Sequence, residues 1–337
     1  MRIALTGGTG FIGSHQAVTL ISAGHDVVIV DDGSNSDACK VGDRIGRIAG
    51  ICPPIEVFDV RDTTRLTDVL RAFGAEAVIH LAGSKHVRES VERPSHYFRN
   101  NIDGLASVVE AAGAVGAFRL VFSSSGSVYG HADRCPIPES AAHRPTNPYA
   151  LTKSVGEQML RDVTHSDPRW SITALRYFNP AGGHPSGLLG DDPVGAAANL
   201  LPRVLQVALG MQSEVEILGD DWATNDGTAE RDYVHVLDVA DAHVRALTQR
   251  AACGFEAFNI GRGVGVSVLE LVEMCRRITG HPIPTRVVQR RPGDVATLVA
   301  DTTSARSTLG IDCARDLEHI CTDAWRSALC ARSGVAV

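Results

Sequence analysis

A glycine-rich loop near the start of the chain constrains its fold more than any other sequence feature. The apolar run Arg2–Leu5 leads into Thr6-Gly7-Gly8-Thr9-Gly10-Phe11-Ile12-Gly13, and an amphipathic stretch follows. In such a strand–loop–helix unit, the first glycine permits a tight turn, the second lets a pyrophosphate approach the backbone, and the third lets helix and strand pack closely. The free N–H groups at the helix start attract phosphate. We interpret the loop as a dinucleotide-binding site rather than an ordinary glycine turn.

Two acidic residues support this interpretation. Asp31-Asp32 ends the second apolar run, Asp26–Val30, about 20 residues after the loop, which is the usual spacing of a ribose-binding carboxylate. A carboxylate in that place accepts hydrogen bonds from the ribose hydroxyls and repels a 2′-phosphate. The sequence therefore predicts NAD rather than NADP as the cofactor.

Short apolar runs alternate with amphipathic stretches through the first half of the chain. Strands that alternate with helices form crossover units, and runs this apolar are typical of strands buried on both faces. We therefore predict an α/β protein with a Rossmann-type doubly wound parallel sheet. The predicted strands are Arg2–Leu5, Asp26–Val30, Ile55–Phe58, Ala77–Leu81, Arg119–Ser123 and Ser171–Tyr177, and the predicted helices cover roughly 11–23, 64–73, 97–115 and 146–166.

The character of the sequence changes after Tyr177, where a turn-rich stretch over 179–187 marks a domain boundary. Residues 1–180 are predicted to form the NAD-binding domain, and 181–337 a smaller mixed α/β domain. Residues 236–262, with a helix and a strand, are predicted to return to the first sheet. In the second domain we expect a helix near 195–210, a strand near 214–218 and a polar loop over Asp220–Arg231.

Composition narrows the classes of function. The chain has 32 basic and 39 acidic residues and a net charge of −7, which argues against nucleic acid or an anionic membrane as the main partner. No apolar run approaches the roughly 18 residues of a transmembrane helix, and glycines come too early for a signal peptide, so a cytoplasmic protein is expected. The eight cysteines lack the close spacing of zinc or redox motifs, which predicts reduced thiols and no metal site.

Three features indicate reactive chemistry. Ser123-Ser124-Ser125 ends the fifth predicted strand, Tyr149 and Lys153 share one face of a predicted helix, and Asn179 follows the sixth strand. Free tyrosine has a pKa of about 10 and is a poor base at neutral pH. A nearby ammonium and a nicotinamide cation would both favour the phenolate. We interpret Tyr149 as a proton-transferring group, with Ser125 bonded to the reacting oxygen, rather than as a surface residue.

These segments together resemble the extended short-chain dehydrogenases/reductases, and specifically the UDP-glucose 4-epimerases. The resemblance covers nearly the whole chain. Its most specific segments lie late in the sequence, because many dehydrogenases share the early ones. The matching segments are Thr6–His15, His80–Lys85, Phe122–Gly130, Arg176–Pro180, Asp226–Val236 and Arg290–Asp294.

The resemblance implies roles for individual residues. Tyr149 is the implied catalytic base, Lys153 binds the nicotinamide ribose and lowers the tyrosine pKa, and Ser125 assists. The predicted cofactor-binding residues are Gly7, Gly10, Phe11, Ile12, Gly13, Asp31, Asp32, Asn35, Asp59, Val60, Leu81, Ala82, Gly83, Lys85, Asn100, Ser123, Tyr149, Lys153 and Tyr177. The predicted substrate-binding residues are Lys85, Ser125, Tyr149, Asn179, Asn199, Leu200, Leu218, Arg231, Arg291, Asp294 and Leu298.

The implied reaction is the reversible epimerisation of a UDP-hexose at C4, through a 4-keto sugar that rotates while UDP stays bound. The partner is therefore a UDP-sugar, and NAD is held throughout the cycle. The family also implies a homodimer, formed through the helices near 97–115 and 146–166.

Several alternatives stay open. Leu298 stands where family members control pocket size, and its intermediate size leaves C4 epimerisation of UDP-N-acetylglucosamine possible; UDP-glucuronate or a UDP-pentose would need the same chemistry. A 4,6-dehydratase is disfavoured, because related dehydratases carry Asp-Glu where this chain has Gly126-Ser127. A non-catalytic NAD-binding regulator is disfavoured, because Tyr149 and Lys153 are both present.

Overall fold

The computed structural model describes residues 1–192, 199–249, 253–291 and 293–333. The strands are β1 (Arg2–Thr6), β2 (Asp26–Asp31), β3 (Ile55–Val57), β4 (Ala77–His80), β5 (Arg119–Ser125), β6 (Ser171–Tyr177), β7 (Asn179–Ala181), β8 (Val215–Leu218), β9 (Glu230–Arg231), β10 (Tyr233–His235), β11 (Gly254–Ile260), β12 (Val266–Ser267), β13 (Thr285–Val288) and β14 (Thr297–Leu298). The α-helices are α1 (Phe11–Ser22), α2 (Ala38–Ala49), α3 (Thr63–Phe73), α4 (Val87–Glu92), α5 (Pro94–Phe98), α6 (Gly104–Val115), α7 (Pro148–Ser166), α8 (Leu200–Ala208), α9 (Val236–Thr248), α10 (Val268–Thr279), α11 (Thr303–Leu309) and α12 (Leu317–Ser333).

A parallel sheet of seven strands forms the centre of the fold, with its strands in the order β3, β2, β1, β4, β5, β6, β11. β1 pairs in parallel with both β2 and β4, so that Leu5 lies opposite Ile29 on one side and Ile79 on the other. The strand order reverses between β1 and β4, and such a reversal opens a crevice at the carboxyl ends of the strands. The predicted doubly wound sheet is confirmed.

Helices cover both faces of this sheet because successive strand residues point to opposite faces. Ile3 and Leu5 belong to a core that includes residues of α1, α2, α9 and α11. Ala4, between them, belongs to the opposite core, with residues of α3, α6 and α7. Apart from an exposed first residue, β1 and β2 are fully buried, which explains why their sequences read as continuous apolar runs.

The second half of the chain adds short strands around a separate core. β7 pairs with β10, β9 pairs with β12 and β14, and β8 pairs with β13. Leu205 of α8, Leu271 of α10 and Ile320 of α12 share this smaller core. The division of the chain at residue 180 stays a prediction. Within the described ranges, no helix combines the length and the apolar character needed to cross a bilayer.

Some elements differ from the sequence predictions. The helix predicted over 97–115 is α5, then a π-helical turn over Arg99–Asp103, then α6. Helix α2 has no counterpart among the helices predicted from the sequence, because its glycines lower helix propensity. A Cβ at Gly42 would lie 2.9 Å from Ile55 Cδ1, so glycine lets this helix approach the sheet edge. Of the helix predicted near 195–210, residues 195–198 lie outside the described residues, and the described part contains α8.

A buried network of hydrogen bonds attaches α7 to the sheet. Arg176 of β6 donates to both carboxylate oxygens of Glu157, at 2.8 and 2.6 Å, and Ser124 of β5 donates to the same carboxylate at 2.6 Å. Arg176 also donates to the Tyr129 hydroxyl, which in turn donates to Asn259 of β11. Although burial acts to raise it, the Arg176 guanidinium holds the pKa of Glu157 below its ordinary value. Both charges are therefore paired inside the core.

Replacing Arg176 with methionine should lower the free energy of unfolding by about 3–5 kcal/mol, because the buried Glu157 carboxylate then lacks its partner. Urea denaturation followed by circular dichroism measures the change. Arg144→Met is the matched control, because Arg144 pairs with Asp133 at the exposed surface and its loss should leave the free energy near the wild-type value. Equal free energies of unfolding for the two variants would contradict the conclusion that Glu157 depends on Arg176 as its buried partner.

Candidate active site

A cavity of about 1470 Å³ extends from the carboxyl ends of the sheet strands into the smaller half of the molecule. Every site residue predicted from the sequence lines this cavity, with the exception of Leu218. Leu218 ends β8, and its carbonyl accepts a hydrogen bond from the Trp222 indole at 3.1 Å. Its place in the substrate site therefore stays a prediction. Within the described ranges, no group of three or more His, Cys, Asp or Glu residues could hold a metal ion.

The glycine loop forms one end of the cavity, and its glycines serve different purposes. Gly7 has φ 72°, and a Cβ there would lie 2.5 Å from the Ala82 nitrogen. A Cβ at Gly13 would overlap the Gly7 carbonyl, so this glycine is needed for the turn itself. Gly10 differs, because a Cβ there would meet no described atom closer than 3.5 Å. It also caps α1 without a side-chain hydrogen bond, which leaves amide donors at the helix start for an anion.

Acidic groups lie beside the loop. Each Asp31 oxygen accepts one backbone N–H at 3.0 Å, from Thr9 and from Gly33, and keeps lone pairs for a further donor. Side-chain hydrogen bonds from Arg61 hold the pKa of Asp59 below its ordinary value. Lys85 Nζ lies 6.0 Å from the centre of the Phe11 ring, above the start of α1. A glycine cradle, free amides, a carboxylate and a cation together fit a dinucleotide.

The reactive residues meet where β5 ends against α7. Asn147 caps α7 by accepting from the Ala150 amide at 2.9 Å, with Pro148 in the first turn, so the helix begins immediately before Tyr149. Lys153, one turn later, is 6% exposed and donates from Nζ to the Ser123 carbonyl at 2.7 Å. The same Nζ lies 5.9 Å from the centre of the Tyr149 ring. Spacing of four residues thus places the phenol and the ammonium together, as the sequence predicts.

Burial has the largest effect on the pKa values of Tyr149 and Lys153. It lowers the pKa of Lys153 to about 8. Burial also raises the pKa of Tyr149, and a hydrogen bond with Ser125 acts in the opposite direction. The chain's own groups therefore do not produce the lowered tyrosine pKa that the sequence argument anticipates. A further positive charge in the cavity is needed, because desolvation disfavours the phenolate and the Ser125 hydrogen bond alone does not offset it.

The other end of the cavity offers donors for an anion. The Arg231 guanidinium donates to the carbonyls of Glu230 and Ala296, at 2.8 and 3.4 Å. No described carboxylate lies within ion-pair distance of it, and burial lowers its pKa. Arg291 differs, because it pairs with Asp294 at 2.7 Å. Asn199 donates to Asp191 at 2.8 Å, and Leu298 lies opposite Arg231 in the β14–β9 register.

Several residues that line the cavity or support its wall carry no sequence signal of their role. Ala324, Ser327 and Ala328 of α12 form part of the wall, although they lie far from the motifs in sequence. Asn101, in the π-helical turn, accepts from the Ser84 amide at 2.8 Å and donates to Thr152 of α7 at 3.0 Å. It fixes the Gly83–Ser84 loop beside the reactive helix. No local pattern marks such residues, since their role depends on tertiary packing.

Known proteins are similar to this chain in both sequence and fold. Residues 3–261 match the model of the NAD dependent epimerase/dehydratase family. The UDP-glucose 4-epimerase of Bacillus subtilis (strain 168) is 44% identical over 327 residues, which cover 97% of this chain and 96% of that relative.

Two crystal structures are similarly close. The UDP-glucose-4-epimerase from Stenotrophomonas maltophila, with bound NAD and formylated UDP-arabinopyranose, has a TM-score of 0.96 and 43% identity over 99% of this chain and 100% of that one. The UDP-glucose 4-epimerase from Bifidobacterium longum, in complex with NAD⁺ and UDP, has a TM-score of 0.96 and 39% identity over the same shares of the two chains. The resemblance predicted from the motifs is confirmed, and the chain belongs to the NAD dependent epimerase/dehydratase family.

Proposed function

We propose that this chain interconverts UDP-glucose and UDP-galactose by reversible epimerisation at C4, with tightly held NAD as its cofactor. The observation that carries the proposal is a single cavity lined by the glycine loop, by Ser125, Tyr149 and Lys153, and by Arg231, whose guanidinium forms no ion pair with a described carboxylate. Relatives of nearly the same fold bind NAD together with UDP or formylated UDP-arabinopyranose. The cavity is large enough for a dinucleotide and a nucleotide sugar side by side.

The glycine loop and the acidic groups hold the cofactor in this proposal. The amides at the start of α1 bind the pyrophosphate, Asp31 binds the adenosine ribose, and Lys153 binds the nicotinamide ribose. Bound NAD⁺ would supply reversible hydride transfer at C4 of the sugar. The chain's own residues supply the proton transfer and the positioning.

Tyr149 takes the proton from the sugar O4 and gives it back after the sugar has turned. Ser125 donates a hydrogen bond to O4, which keeps that oxygen beside the phenol. The Lys153 ammonium, fixed by its hydrogen bond to the Ser123 carbonyl, stabilises the phenolate when a second cation lies in the cavity. The protein therefore acts as acid and base at one atom.

The substrate end anchors UDP and leaves the hexose free to turn. Arg231 and Arg291 bind the diphosphate, because a guanidinium can hold two phosphate oxygens at once. Asn179, Asn199, Leu200 and Asp294 complete the proposed nucleotide-sugar site. Leu298, of intermediate size, faces the same cavity, so UDP-N-acetylglucosamine is proposed as a slower second substrate.

We assign the two ligands to the two parts of the chain predicted from the sequence. Residues 1–180, with 236–262, hold NAD, and 181–337 hold the UDP-sugar. A cytoplasmic location and the absence of a nucleic-acid or membrane partner stay predictions.

A second copy of this chain is the proposed protein partner. Phe98 of α5 and Leu151 and Val155 of α7 are 36%, 40% and 37% exposed, and α5 packs against α7. Leu151 and Val155 lie one turn apart, so their side chains form a continuous apolar strip on the helix surface. This strip lies on the helices predicted to pair between subunits, which would bury it in a homodimer.

The purified protein should interconvert UDP-glucose and UDP-galactose without added cofactor, and Tyr149→Phe should lower turnover about 10²–10⁴-fold, the contribution of a positioned acid–base group. The variant should keep its bound NAD, because it lacks only the phenolic hydroxyl. Product formation is measured by chromatography, and NAD is measured in extracts of the denatured protein.

Parallel assays with the N-acetyl sugars measure the substrate range. Activity on UDP-N-acetylglucosamine alone would replace the proposed substrate pair with the acetylated one. Bound NAD with no turnover of any UDP-sugar by the wild-type protein would instead favour a non-catalytic regulator.

Two glycine variants should separate cofactor binding from folding. Gly10→Ala should keep the wild-type free energy of unfolding and lose NAD, because its Cβ has room in the chain but projects into the pyrophosphate cradle. Gly13→Ala should be destabilised, because its Cβ overlaps the Gly7 carbonyl. Thermal unfolding and NAD content are measured on each variant. Full NAD retention by a stable Gly10→Ala protein would argue against this cradle.

The double change Leu151→Glu, Val155→Glu should convert a dimer to a monomer, because it places charges in the proposed apolar contact. Sedimentation equilibrium measures the molar mass. Ile51→Glu is the matched control, because Ile51 is 64% exposed and lies outside the two helices. A dimer that survives the double change would place the interface elsewhere.

A further inference from the structure

Asp232 lies between β9 and β10 and is completely buried. Its carboxylate accepts three backbone N–H groups, from Arg262 at 2.7 Å, Gly263 at 2.9 Å and Ala300 at 3.1 Å. Among the described residues, no basic side chain hydrogen-bonds to it. Burying a carboxylate without an ion pair costs free energy. Its three hydrogen bonds to backbone amides therefore indicate that it holds those backbone segments in place.

The backbone of Asp232 joins two walls of the substrate end. Its N–H donates to the Leu298 carbonyl at 3.1 Å, and its carbonyl accepts from the Asn179 N–H at 3.0 Å. Arg231 directly precedes it. One residue thus connects the segments that carry Asn179, Arg231 and Leu298.

Space for the carboxylate is reserved by a neighbouring glycine. A Cβ at Gly261 would overlap Asp232 Oδ2 and would come within 2.9 Å of the Ala300 Cβ. An amide in place of the carboxylate would have one acceptor oxygen for three donors, and its NH₂ group would face backbone N–H groups. The pocket is therefore matched to an ionised carboxylate.

We propose that Asp232 is a positioning residue of the substrate site, whose ionised carboxylate holds the Arg262–Gly263 turn and Ala300 against the strands that carry Asn179, Arg231 and Leu298. The proposal rests on the proposed function, because those three residues are the proposed UDP-sugar contacts. Asp232 does not line the cavity, so it acts through them. Its loss should weaken UDP-sugar binding and leave NAD in place, since the glycine loop lies at the other end of the cavity.

Protonation of Asp232 should have the same effect as its loss. Burial raises its pKa to about 6, against the hydrogen bonds from the three amides. The charged or titratable groups that interact with it electrostatically are the Arg262 guanidinium and the thiols of Cys135 and Cys313. As the pH falls through about 6, the carboxylate gains a proton and loses an acceptor site, so the KM for the sugar nucleotide should rise.

Asp232→Asn, purified with its NAD, should raise the KM for UDP-galactose about tenfold, a factor that one charge-assisted hydrogen bond can account for. Its kcat should stay within about twofold of wild type, since the interaction is lost equally from ground and transition states. The rise of KM below pH 6 should disappear. Asp238→Asn is the matched control: it also removes a buried carboxylate that accepts a backbone N–H, from Arg315 at 3.2 Å, but it connects α9 to Arg315, and neither carries a proposed UDP-sugar contact.

An Asp232→Asn protein whose KM and pH profile match those of Asp238→Asn would overturn the proposal. If Asp232→Asn does not fold, Gly261→Ala takes its place, because the added Cβ displaces the carboxylate without removing its charge. If the wild-type protein turns over no UDP-sugar, the proposed function fails, and calorimetric titration with UDP then decides on Asp232. Weaker UDP binding by the variant supports the positioning role, and unchanged binding overturns it.

Discussion

The position of α7 against the sheet is the constraint on which the site depends. Three neighbouring residues of this helix contact the ends of β5 and β6. Lys153 donates to a β5 carbonyl, a Cβ at Gly156 would lie 3.0 Å from the Phe122 ring, and Glu157 accepts from Ser124 and Arg176. Each contact limits how far the helix can slide or rotate. Tyr149, one turn earlier on the same face, is therefore fixed relative to the strand end that carries Ser125.

The buried Glu157–Arg176 pair contributes more to position than to net stability. A well-packed apolar pair of similar volume could match it in free energy. The attraction between two buried charges does little more than offset the free energy needed to remove both from water. Its hydrogen bonds, however, are satisfied in only one arrangement. A shift of α7 by one turn would leave both charges unpaired in the core. The network continues through Tyr129 to Asn259, so the same requirement also fixes β11 beside β6.

The sequence predicted the features that depend on neighbours in the chain. The glycine loop, the apolar strands and the pairing of Tyr149 with Lys153 all follow from local spacing. Local sequence patterns did not predict the features that depend on tertiary contacts. Gly42 lowers the helix propensity of α2, so no helix was predicted there. Close packing of Gly42 on Ile55 offsets this penalty in the folded chain. Leu218 was assigned by resemblance alone, and that assignment stays a prediction.

The substrate end was harder to predict for a related reason. β9, β12 and β14 contain two residues each, too few to show a periodicity, and their partners lie more than 30 residues away in sequence. A carboxylate such as Asp232 has no motif beyond its place beside Arg231. Its hydrogen bonds to amides from two distant segments exist only after the short strands have paired.

The two ends of the cavity hold their ligands by different means. This difference explains how one site can bind phosphate groups tightly and still leave a hexose free to turn. At the glycine loop the donors are backbone amides, fixed by the helix that they begin, so a bound pyrophosphate loses little to reorganisation. At the other end the donor is the partly buried Arg231 side chain, which no described carboxylate neutralises. An anion that binds there regains an interaction that the empty fold lacks. Leu200 and Leu298 line the wall with aliphatic carbon and offer no side-chain polar group to a sugar, so a hexose anchored through its diphosphate can turn without breaking a hydrogen bond to either.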